Sequence, residues 1–151
     1  MFDIRLSTNA LDEADAAPAL WGRIQIGSFT EDFIAYLCDW TPDQYRRQWL
    51  EATERLVNGE SKSAFVTMFV SPKNGGHFEW WPCYRVGEIV YLQNQLRFHE
   101  QIASPFAVES LYEYVSDRKT ASNDDGTPIS EWEVPLGWIR DFVNRDLAEI
   151  V

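Results

Sequence analysis

Four side chains in this sequence are of the histidine and cysteine types that build zinc sites: His77, His99, Cys38 and Cys83. Structural zinc sites draw such ligands from pairs a few residues apart, and these four stand singly on separate stretches, so no metal site and no cofactor is expected. Asp124-Asp125-Gly126 has the composition of a calcium loop but lacks the alternating Asx positions and closing Glu of that motif, and it reads as a turn. No G-x-S-x-G, G-x-x-x-x-G-K or G-x-G-x-x-G occurs, which removes support for nucleophile-elbow hydrolases, P-loop enzymes and dinucleotide binders. Carboxylates are the remaining chemical resource. Glu131 and Glu133 flank Trp132, and strand alternation puts both acids on one side. Such a pair does general acid and base work only inside a cleft, whereas on an open sheet it is a solvated face. No catalytic residue is assigned.

Several elements must position these groups. Leu20, Gly22, Ile24 and Ile26 alternate with Trp21, Arg23 and Gln25, and a second apolar run, Phe33 to Cys38, follows a turn over Ser28 to Asp32, which predicts a strand pair. Thr41-Pro42 is an N-cap followed by proline at the first helical position. Tyr45, Trp49, Ala52 and Leu56 then recur at helical spacing until Asn58-Gly59, so an aromatic stripe should face a sheet. Ala64 to Val70 is apolar on both faces, as a central strand would be. Phe78 to Arg85 and Glu88 to Phe98 flank a short connection at Val86-Gly87. In the second run Val90, Leu92, Leu96 and Phe98 share the core face with Asn94, and Tyr91, Gln93, Gln95 and Arg97 take the other. Val108, Leu111, Tyr112 and Val115 have helical spacing, as do Leu136, Ile139, Val143 and Leu147 after Pro135. A strand over Ile129 to Val134 lies between them. The expected fold is α+β, an antiparallel sheet of about five to seven strands with helices packed against it. Ser7 to Pro18 has no usable period, and residues 1–19 are read as a mobile lead-in.

The chain has 151 residues, 45% of them hydrophobic and 15% aromatic, which suits a single domain with a substantial core and argues against disorder. Thirteen Lys and Arg face twenty-four Asp and Glu, a net charge of −11, which repels phosphate backbones and anionic lipid. The acids gather toward the ends: residues 63–99 hold two and residues 100–151 hold eleven. No apolar run has the ~18 residues of a membrane span, and the first twenty residues lack a signal-peptide pattern, so a cytoplasmic location is expected. Both cysteines read as small buried hydrophobes, and Trp49, Trp80 and Trp81 as core.

The ordered motifs Ala64-Phe65-Val66-Thr67-Met68-Phe69-Val70, Val90-Tyr91-Leu92-Gln93-Asn94 and Asp125-Gly126-Thr127-Pro128-Ile129-Ser130-Glu131-Trp132 resemble the immunity proteins of bacterial contact-dependent growth inhibition systems, with Tyr45 and Trp49 arriving just after Trp40 as a further point of likeness. The similarity spans about residues 20–143 and is greatest to the type that accompanies nuclease toxins cutting ribosomal RNA. The resemblance implies a cytoplasmic partner of the C-terminal toxin domain of a cell-surface effector, binding it one to one and blocking it. An RNA-cleaving toxin needs a basic cleft, and an inhibitor covering that cleft can present carboxylates where phosphates would lie.

The toxin-facing surface varies within that family, so the contact residues come from charge and exposure. Asp124, Asp125, Glu131 and Glu133 with Trp132 as anchor, joined by Glu109, Glu113 and Asp117 on a neighbouring helix, form the expected surface. The Asp125 to Trp132 motif also has a structural reading, with Gly126 making a tight turn and Trp132 filling the core. Two other classes remain open. A carboxylate-based hydrolase would show a concave pocket with a carboxyl of raised pKa. A single-stranded nucleic-acid binder would need a positive groove around its aromatics, for which the middle segment offers only Lys73, Arg85 and Arg97.

Overall fold

The structure is a computed structural model and describes residues 1–10, 18–98, 106–119, 126 and 128–150. In chain order the elements are β1 (Phe2–Ala10), β2 (Ala19–Ile26), β3 (Phe29–Tyr36), α1 (Pro42–Val57), β4 (Lys62–Val70), β5 (His77–Val86), β6 (Ile89–Gln93), β7 (Gln95–Phe98), β8 (Glu131–Pro135) and α2 (Leu136–Ile150). Two 3-10 segments, Pro72–Asn74 and Val108–Tyr114, lie between them. The class is α+β as expected, with the strands in two antiparallel sheets rather than one: β1-β2-β3, and β4-β5-β6-β8 with β7 also on β5.

The expected lead-in is corrected over residues 2–10, which form β1; residues 11–17 lie outside the described residues. Phe2, Ile4 and Leu6 are buried on one side of the strand, where Phe2 meets Phe65 at 5.3 Å and Phe142 at 5.5 Å. Arg145 of α2 donates to the Phe2 carbonyl at 2.6 Å, fixing the strand to the last helix. Between β2 and β3 the turn is tighter than Ser28 to Asp32. Ile26 pairs directly with Phe29, and Gly27 at φ 62° takes the positive-φ position of a two-residue hairpin loop. Gly22 pairs with Phe33, whose ring lies over it; a Cβ on Gly22 would sit 2.3 Å from ring carbons.

Helix α1 begins as expected. Thr41 Oγ1 accepts from Gln44 N at 3.2 Å while Gln44 Oε1 accepts from Thr41 N at 2.8 Å, a complete capping box with Pro42 at its start. Its inward face carries Tyr45, Gln48, Trp49, Ala52 and Leu56, all buried. These side chains explain a correction to β4, which is buried along nearly its whole length yet lies last in its sheet's hydrogen-bonding order, not in the middle. Helix α1 covers the open edge with side chains. Gln48 donates to Ala64 O at 2.7 Å and accepts from Val66 N at 2.8 Å. Trp49 Nε1 donates to Val66 O at 2.7 Å, Arg55 to Lys62 O at 3.0 Å, and the Tyr45 hydroxyl accepts from Phe69 N at 3.0 Å. Tyr45 then donates to Tyr36 O at 2.6 Å, so one phenol bridges the ends of β3 and β4.

The run expected as one strand over Glu88 to Phe98 divides into β6 and β7. The register against β5 carries straight through, Cys83 opposite Leu92 and Trp80 opposite Gln95, so Pro82 falls opposite Gln93 and supplies no N–H to the ladder there. Val90 and Leu92 are buried as expected, but Leu96 and Phe98 are 53% and 40% exposed. The covering sheet stops before it reaches them. The residues from Val108 to Tyr114 form a 3-10 segment with a kink at Ser110, not an α-helix, and Val115 after them is extended. Cys83 is buried as expected, whereas Cys38 is exposed. Phe33, Trp49, Phe65, Trp81, Leu92, Val134 and Phe142 belong to one core cluster that both sheets and both helices share.

Candidate functional site

The expected C-terminal acidic surface is assembled only in part. Glu131 and Glu133 share one face of β8, as alternation requires, and Tyr91 lies opposite Glu133 on β6. Glu131 is already engaged. Arg118 grips it with two bonds of 2.8 and 2.6 Å, Gln93 donates to it at 2.8 Å, and the Arg118 guanidinium stacks 3.7 Å over the Tyr91 ring. The Arg118 bond holds the Glu131 carboxyl below the usual carboxylate range. Asp117 is exposed and lies 2.6 Å from Lys62 Nζ. Trp132 points to the opposite face, between Phe29 at 4.8 Å and Trp81 at 5.0 Å, where it joins the two sheets. Glu109 and Glu113 are exposed on the 3-10 segment, and Glu133 is exposed on β8. Asp124 and Asp125 lie outside the described residues.

A second acidic surface was not expected from the sequence. On the other face of the larger sheet a groove of about 300 Å³ runs between β3 and the strands β4 and β5, with Glu31, Asp32, Ile34, Thr67, Glu79 and Asn94 among its walls. Glu31 lies on the face of β3 that packs toward the larger sheet, between the inward rings of Phe29 and Phe33. Asn94, at the break between β6 and β7, donates to it at 3.1 Å. Burial, reinforced by the nearby charge of Glu79, raises the Glu31 carboxyl above its usual range. Trp21, 42% exposed, stands at one side of the groove, and Leu96, which pairs with Glu79, and Phe98, which pairs with His77, continue the same sheet face beyond it. Asp32 is held by Arg23 at 2.6 Å. Among the described residues no Arg or Lys pairs with Glu31 or Glu79. A carboxyl of raised pKa beside a second acid in a concavity is also the form that a carboxylate-based hydrolase would take.

A family model described as the CdiI N-terminal domain matches residues 35–142, from the end of β3 into α2. The chain belongs to the CdiI N-terminal domain family. The resemblance to immunity proteins of contact-dependent growth inhibition, carried in the sequence by the β4, β6 and β8 motifs, is the membership now found. A protein named Immunity protein CdiI, from Enterobacter cloacae subsp. cloacae, is 28% identical over 119 residues, covering 79% of this chain and 81% of that protein. The likeness of fold extends further. A solved structure named as the CdiA-CT/CdiI toxin and immunity complex from Enterobacter cloacae aligns with a TM-score of 0.84 at 25% identity, covering 96% of this chain and 97% of that one.

One signal in the CdiI-family sequence points to the groove. Glu79 is the one acid of β5, set between Phe78 and Trp80 in its apolar stretch, and a charge that interrupts such a stretch needs either a partner or a purpose. Glu31 gives no comparable sign, because Thr30, Glu31 and Asp32 read as a polar turn until the hairpin shows that the turn is only Gly27-Ser28.

Proposed function

We propose that this chain is a stoichiometric inhibitor that binds the C-terminal toxin domain of a contact-dependent growth inhibition effector, an RNA-cleaving nuclease, and blocks it one to one in the cytoplasm. The observation that carries the reading is the likeness of fold, over 96% of the chain, to a chain of a toxin and immunity complex, together with the likeness in sequence to a protein named Immunity protein CdiI. The charge of −11 supports the nuclease part, since a surface that attracts RNA phosphates is also attracted to carboxylates. No cofactor enters this reading. Glu109, Glu113 and Glu133, whose carboxylates project into solvent, serve to steer the toxin in. Glu131 and Asp117 contribute less, because Arg118 and Lys62 already offset their charge, and Trp132 acts as packing between the sheets.

Calorimetric titration of the purified protein into its cognate toxin domain, with ribosomal RNA cleavage followed in the same mixtures, tests this. The expected result is one-to-one binding at about 1 nM or tighter, about −12 kcal/mol, with cleavage abolished at equivalence. A folded, active toxin that ignores the protein, or a bound toxin that still cuts, overturns it.

A further inference from the structure

We propose that the groove between β3 and the open half of the larger sheet is the docking site for the toxin, receiving a cationic side chain between Glu31 and Glu79 while Trp21, Leu96 and Phe98 pack against the toxin surface around it. The inference rests on the inhibitory role proposed above and assigns it to a place.

Three observations meet there. Asp3, Asp32, Asp43, Asp117 and Glu131 each have an Arg or Lys within salt-bridge distance, whereas Glu31 and Glu79 are two neighbouring acids, partly withdrawn from water, with no such cation among the described residues. Like charges in that position repel each other at reduced screening, and an incoming cation relieves both repulsion and desolvation. The second observation is the sheet face itself. Val90 and Leu92 are covered, and the same face four and six residues beyond Leu92 presents Leu96 at 53% and Phe98 at 40% exposure, with Trp21 at 42% across the groove. Isolated exposed apolar residues are ordinary, but large ones flanking a charged groove have the make-up of an interface core with an aromatic anchor. The third is sign. A second copy would bring a charge of −11 against the same acids, and RNA would bring phosphates, so a basic protein surface is the occupant that complements the groove.

The groove and the C-terminal acids lie on opposite faces of the larger sheet, which allows each to be tested without disturbing the other. The experiment measures association and dissociation rates for the cognate toxin domain with the unsubstituted chain, with Glu31→Gln/Glu79→Gln and with Glu133→Gln, alongside thermal melts. The double substitution removes the repelling pair and keeps side-chain shape, so the fold is retained. Dissociation faster by about 30-fold or more in the double variant, with association changed less than about threefold, is the expected result. Glu133→Gln is expected to leave dissociation unchanged and slow association slightly. Dissociation of the folded double variant within about twofold of the unsubstituted chain overturns the assignment while the inhibitory function stands. Failure of the unsubstituted chain to bind overturns both. Sedimentation of the free protein supplies a further check: a dimer that Leu96→Ser dissociates makes this face a contact between copies and overturns the assignment as well.

Discussion

Glu31 and Glu131 show how one side-chain type acquires opposite energetics from its neighbours. Burial and Glu79 raise the Glu31 carboxyl, whereas Arg118 and Gln93 lower that of Glu131. A carboxyl raised in the folded state stabilises the fold below its unfolded value of about 4.3, and that contribution is lost as pH rises through the raised value. A lowered carboxyl does the reverse: its contribution is present above about 4.3 and is lost as pH falls through the lowered value. Glu31→Gln should therefore be more stable than the unsubstituted protein at neutral pH, and Glu131→Gln less stable. Both differences should shrink toward zero on acidification. Urea unfolding of the three proteins across the range from neutral to acidic pH measures this, and an Glu31→Gln protein less stable at neutral pH would contradict the account of the groove.

At the scale of elements, the covering of β4 by α1 gives the sharpest expectation. Gln48 is buried and satisfies both Ala64 O and Val66 N. Gln48→Leu keeps the volume and leaves two buried backbone groups without partners, at a cost of about 3 kcal/mol, or about 6 to 12 °C in Tm for a chain of this length. Amide exchange at Val66 should accelerate locally in the same variant. A melt within about 1 °C of the unsubstituted protein would show that water replaces the glutamine at little cost. Much of this helix was legible in the sequence: Thr41, Pro42 and the spacing of Tyr45, Trp49, Ala52 and Leu56 depend on neighbours within a turn or two. What Gln48 does was not, because a polar residue on a helix becomes a strand partner only when a particular strand edge lies beside it. The same distinction applies elsewhere. The alternation of Phe2, Ile4 and Leu6 with polar residues is a local signal, but it covers too few residues to stand out, so in the sequence alone β1 reads as part of a lead-in. Leu96 and Phe98 continue the period of Val90 and Leu92 without fault, and only the extent of the smaller sheet decides that they face outward. At Val108 to Val115 the apolar spacing suits an α-helix and a 3-10 segment equally. Of the candidate site, the acidic balance and Glu79 were visible. The meeting of Glu79 with Glu31 required strands 48 residues apart in sequence to converge.

Considered whole, the molecule is a field as well as a shape. A net charge of −11 acts beyond contact distance, so association with a basic toxin should be fast and should slow by about tenfold or more as salt rises from about 50 mM to about 500 mM, with a much weaker effect on dissociation. Stopped-flow mixing at several salt concentrations checks this, and a flat association rate would show that the charge does not guide the encounter. Steering by the whole surface and retention by one groove are separable quantities, which is why the rates are more informative than affinity alone.

The helix that closes the β4 edge also precedes it in the chain, with only Asn58 to Ser61 between them. During synthesis α1 therefore leaves the ribosome before the strand it covers, and its side chains are in place before β5 has emerged to pair the other side. An unpaired strand is a template on which identical chains stack into fibrils. The order of these two elements shortens the interval in which β4 is bare, giving a nascent chain rich in aromatic residues a built-in chaperone of its own sequence.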